Sequence, residues 1–88
     1  MAVEIFLDVR DLEAPGPLQE VLAALDGMLE GHYVRVLHRR DPKCLFPLLD
    51  QLGFVHETKM NDDSTFEVFV WHSSDNVTAL AVQQAVQE

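Results

Sequence analysis

A chain of 88 residues fits one domain and leaves no room for a second. Hydrophobic residues make up 48% of it, the share of a folded domain and too high for a disordered one. Six Lys/Arg against fifteen Asp/Glu give a formal charge of −9, a field that repels nucleic acid and anionic membrane surfaces and disfavours both as partners.

Residues 4–9 alternate, with Ile5, Leu7 and Val9 on one side, which predicts a half-buried strand. The stretch Leu12 to Pro17 (Leu-Glu-Ala-Pro-Gly-Pro) reads as a turn leading into a helix, because proline suits the first helical turn, where its missing N–H costs nothing. Leu18, Val21, Leu22, Leu25, Met28 and Leu29 then form one apolar stripe, with Gly31 as the expected C-cap. Residues 32–38 predict a second strand. Asp41-Pro42 reads as the start of a second helix, an N-cap carboxylate followed by proline, with Leu45, Leu48, Leu49 and Leu52 buried and Gly53 closing it. Pro47 lies inside that span and either kinks the helix or pushes its regular part later. Residues 54–60 and 65–71 predict a hairpin around the polar turn Asn61 to Ser64. Residues 1–74 are therefore expected to form the domain, with 75–88 a C-terminal helix or tail.

The order β-α-β-α-β-β implies an α+β fold, a two-layer sandwich. Its first two strands run parallel through a right-handed crossover, and both helices cover one face of a mixed four-stranded sheet. The other face then carries Phe6, Tyr33, Leu37, Phe69 and Trp71, too much apolar surface for an idle solvated face. Either the C-terminal helix covers it, or a second copy of the chain does through Phe6, Tyr33, Phe69 and Trp71, or a ligand or another partner does.

The segment Leu7-Asp8-Val9-Arg10-Asp11-Leu12-Glu13-Ala14-Pro15-Gly16-Pro17-Leu18 resembles the opening of TusA/SirA-like proteins. In those small domains a Leu-Asp strand leads through Cys-Pro-x-Pro into the first helix. The resemblance continues at Gly31 and at Asp41-Pro42 and spans about residues 4–72. It is nearest to an offshoot of that superfamily, bacterial domains of unknown function without the motif's cysteine. It implies the two-layer sandwich also seen in the C-terminal domain of bacterial translation initiation factor three. The family's sulfur-carrying cysteine falls at Ala14, which has no nucleophile, so sulfur relay at that position is excluded.

In a parallel β-α-β unit the loops leaving the first two strands emerge at one sheet edge, where open α/β sheets tend to bind ligands. Arg10, Arg39, Arg40 and Lys43 map there with His38, beside the Ala14-Pro15-Gly16-Pro17 turn. The functional reading is a small-anion site, or a docking patch for an acidic protein partner, at two helix N-termini. The structural alternative is that these cations pair with Asp8, Asp11, Glu13 and Asp41. Cys44 falls near N3 of the second helix after Lys43, where a thiolate is favoured; yet free cysteine most often packs as a small buried hydrophobe. One cysteine excludes an internal disulfide.

The four histidines lack metal-ligand spacing, and no acid/base couple, phosphate-binding glycine loop or dinucleotide fingerprint is present. No catalytic residue, metal or other cofactor is expected. Met1 to Glu4 has no signal-peptide character, and no apolar run approaches the roughly 20 residues that span a bilayer, which points to a cytoplasmic protein. Three functions stay open: a non-catalytic binding module at the basic edge, a sulfur carrier using Cys44, and a structural dimerisation module.

Overall fold

The structure, a computed structural model, describes residues 2–87. Strands β1 (Val3–Asp8), β2 (His32–His38), β3 (Phe54–Met60) and β4 (Phe66–His72) alternate with helices α1 (Gly16–Leu25) and α2 (Phe46–Gln51), and α3 (Asn76–Gln87) ends the chain. The sheet order is β1-β2-β4-β3, with β1 parallel to β2 and the other pairs antiparallel. This is the expected α+β sandwich with its mixed sheet. Among the described residues no helix is long and apolar enough to cross a membrane.

Alternation in the strands separates two cores. Under α1 and α2 lies an aliphatic one, in which Val34, Val36, Val68 and Val70 of the central strands meet Val21, Leu25, Leu45 and Leu49. Burying a side chain of this size stabilises a fold by about 1.5–3 kcal/mol. Beneath α3 lies a smaller aromatic core of Tyr33, Phe69 and Trp71, closed by Val82 with Ala79, Ala85 and Val86. Of the four aromatics expected to meet a second copy, α3 thus covers Tyr33, Phe69 and Trp71 and leaves Phe6 exposed.

Asp75 anchors α3. Its carboxylate accepts from the Thr78 backbone N–H (3.1 Å) and hydroxyl (2.5 Å), satisfying the helix start, and from the Gly31 N–H (2.7 Å). The Thr78 bonds first, then that from Gly31, hold its pKa below the ordinary carboxylate value. Farther along the same face, Arg35 pairs with buried Glu67 and with Glu4 (3.4 Å) and lies over the Phe69 ring.

Two helix boundaries differ from the sequence expectation. α1 stops at Leu25, one turn before the end of its apolar stripe, because Gly27 takes a left-handed φ of 75° and turns the chain. Met28 still reaches the core from that turn, but Leu29 is exposed. α2 starts at Phe46, with Pro47 in its first turn; Asp41 is not its N-cap and Cys44 is not at its third position. A proline in the helix interior would remove a hydrogen bond and clash with the preceding turn, so the helix begins where Pro47 is harmless. Residues 39–45 are a loop and turn instead, held by Lys43 N–H to Asp41 O (2.9 Å) and Leu45 N–H to Pro42 O (3.0 Å).

Candidate functional site

Because β1 and β2 run parallel, the segment before α1 and the segment before α2 leave the sheet side by side. Between them lies a cavity of about 300 Å³. One wall is the β1–α1 turn with the start of α1: Leu12, Ala14, Pro15, Pro17, Leu18 and Val21. The Ala14–Pro15 peptide in it is cis. Val36 and His38 of β2 form the floor, and Arg39, Arg40, Asp41, Pro42, Cys44 and Leu45 close the far side.

Of the residues singled out from sequence, Ala14, Pro15, Pro17, His38, Arg39, Arg40 and Cys44 line this cavity. Arg10, Gly16 and Lys43 do not. Arg10 turns back on its own strand: its Nε and Nη2 donate to the two carboxylate oxygens of Asp8 at 2.9 and 2.8 Å. That pairing lowers the Asp8 pKa. Arg39 sits 3.6 Å from Glu13 across the mouth. The expected neutralisation of the basic edge therefore holds for Arg10 and, loosely, for Arg39. Among the described residues no ion pair involves Arg40 or Lys43.

His38 has a defined role at the floor. Its Nδ1 accepts the Arg40 backbone N–H (3.0 Å), which leaves the proton of a neutral ring on Nε2. Burial first, then the charges of Arg39 and Arg40, hold its pKa below the ordinary histidine value. The ring is thus neutral near neutrality, with one N–H to offer. Asp41 follows Arg39 and Arg40 on the same side, but its Oδ1 is shut off from solvent and has no hydrogen-bond partner. Cys44 is exposed, so it is not the packed core thiol that its residue type suggests.

The remaining sites of interest serve structure. His56 stacks on Phe46 with ring centres 4.3 Å apart and lies 3.4 Å from Asp50. His72 bonds through Nε2 to the Met28 carbonyl (2.9 Å). Among the described residues no three His, Cys, Asp or Glu side chains converge as a metal site. Leu12, Leu18, Val21, Val36 and Leu45 belong to the cavity although periodicity assigns most of them only to core; nothing in their spacing marks a stripe that ends at a gap.

A family model described as an uncharacterized conserved protein family, DUF2249, matches residues 6–72, so α3 lies beyond the matched region. The crystal structure of a SirA-like protein from Desulfitobacterium hafniense superposes with a TM-score of 0.67 at 24% identity, covering 74% of this chain and 92% of that one. That likeness is one of fold. No curated protein matches the sequence.

Proposed function

We propose that this chain, which belongs to the DUF2249 family of uncharacterized conserved proteins, is a non-catalytic binding module that takes a small anion in the cavity at the carboxyl ends of β1 and β2. The observation that carries this reading is Arg40, a cation without an ion pair, on the wall of a concave site that also presents the neutral His38. A guanidinium offers a planar set of donors suited to carboxylate or phosphate. Concave sites with a few convergent polar groups are the usual places for small ligands. At the position of the family resemblance's nucleophile stands Ala14, so the cavity binds without that chemistry.

Titration with acetate and inorganic phosphate, followed residue by residue through backbone amide NMR shifts, tests the reading. Shifts confined to residues 12–18 and 38–45 are expected, and Arg40→Gln reduces them. Shifts scattered over the surface, or none, would end it.

A second reading has one observation in its favour: Cys44 is exposed and lines the same cavity as Ala14. In it the Cys44 thiolate attacks the outer sulfur of a persulfide R–S–SH. The S–S bond breaks, R–S⁻ leaves, and Cys44 carries the added sulfur. Intact mass after incubation with a persulfide donor decides. A gain of one sulfur atom that Cys44→Ser abolishes favours the carrier, and an unchanged mass alongside fast alkylation of Cys44 removes it.

A further inference from the structure

The chemistry of the cavity walls narrows the ligand class, on the premise that the cavity is an anion site. A site for phosphate or another fully hydrated ion needs polar groups on most sides, because each oxygen that loses water must regain a partner. Here Leu12, Ala14, Pro15 and Leu18 supply the apolar wall, with the buried Val21, Val36 and Leu45 behind it, and none of them bonds an oxygen through its side chain. The polar groups lie together on the β2–α2 side. Arg39 is shared with Glu13 (3.6 Å), which leaves Arg40 as the cation without an ion pair there.

We infer that the ligand is an amphiphilic monoanion, a short alkyl chain or single ring bearing one carboxylate. Its apolar body lies against Leu12, Ala14, Pro15 and Leu18, and its carboxylate meets Arg40. A volume of about 300 Å³ stands at the lower end of ligand pockets, which fits a body of this size and not a long acyl chain. Each methylene that leaves water in such a site tightens binding roughly fourfold. Chain length should therefore raise affinity until the cavity is full, while the carboxylate fixes the orientation.

Calorimetric titration of the full chain with octanoate, acetate, inorganic phosphate and octylammonium tests this. Octanoate is expected to bind at least about tenfold more tightly than acetate or phosphate, and octylammonium to bind far more weakly than octanoate. Arg40→Gln, on an exposed residue, is expected to weaken octanoate about fivefold or more. Ala14→Phe, which adds bulk to the exposed apolar wall, is expected to weaken octanoate. Acetate or phosphate binding as tightly as octanoate would overturn the amphiphile and leave the anion site standing. Octylammonium binding as tightly as octanoate, or no binding by any of the four, would overturn both.

Discussion

Two apolar surfaces of this domain meet different ends. Tyr33, Phe69 and Trp71, on one face of the sheet, are closed over by α3, whose inward positions are small or β-branched: Ala79, Val82, Ala85 and Val86. Leu12, which is 38% exposed, and the half-buried Leu18, at the edge of the other face, stay beside an open cavity. Composition does not separate the two, since both are apolar. The difference lies in what the chain can bring over each. A full helix with a secured start follows β4, whereas Pro47 delays α2 and leaves a loop at the cavity, where a longer helix was expected. An apolar patch becomes core or binding site according to whether a neighbouring segment reaches it in a shape that packs.

That contrast can be broken most forcefully from the covered side. Phe69→Ala empties the centre of the aromatic core and is expected to cost about 3–5 kcal/mol in urea denaturation, while any ligand affinity at the cavity is unchanged after correction for folded fraction. A loss below about 1 kcal/mol would mean that α3 does not pack as described. Val82→Ala removes two methyl groups from the underside of α3 and is expected to cost about 2 kcal/mol by the same measurement.

Asp75 sharpens the comparison through pH. Its folded pKa lies below its unfolded one, so folding favours the ionised form. The stability it contributes is complete above the ordinary carboxylate value and is lost as pH falls through the lowered folded value. Asp75→Asn is therefore expected to be less stable than the parent near neutrality and to converge with it in acid. Denaturation curves at both pH values check this, and a constant difference across them would contradict it. The smallest effect is expected from Pro47→Ala. It changes stability by no more than about 1 kcal/mol but lets α2 begin earlier. Helicity by circular dichroism should rise slightly while octanoate binding falls. Unchanged binding would separate the cavity from the late start of α2.

Strand positions, and the faces of β1, β2 and β4, were legible in the residues alone. A period of two places Ile5 and Leu7 on one side and Phe6 on the other, whatever lies nearby. Gly53 closing α2 was equally legible: its left-handed φ of 86° is a conformation glycine adopts freely. The apolar stripe of α1 was legible, its end was not. Met28 continues the period from a turn, so burial persisted after the helix had stopped. The basic edge was partly legible. The parallel pairing of β1 with β2 brings His38, Arg39 and Arg40 beside the Ala14–Pro17 turn, and the β-α-β order already implied that pairing.

By itself, then, the sequence determined the α+β order, the faces of β1, β2 and β4, the absence of a nucleophile at Ala14 and the segments that share one sheet edge. These follow from local periodicity, residue chemistry and the handedness of the parallel crossover, which act within a few tens of residues. Only the tertiary structure decided that α3 and not a partner lies on Tyr33, Phe69 and Trp71. It alone left Arg40 without an ion pair and opened a cavity between two turns. Each of these depends on distances between segments far apart in the chain. A side chain's fate there is set by which neighbour packs first against it, and no periodicity records that.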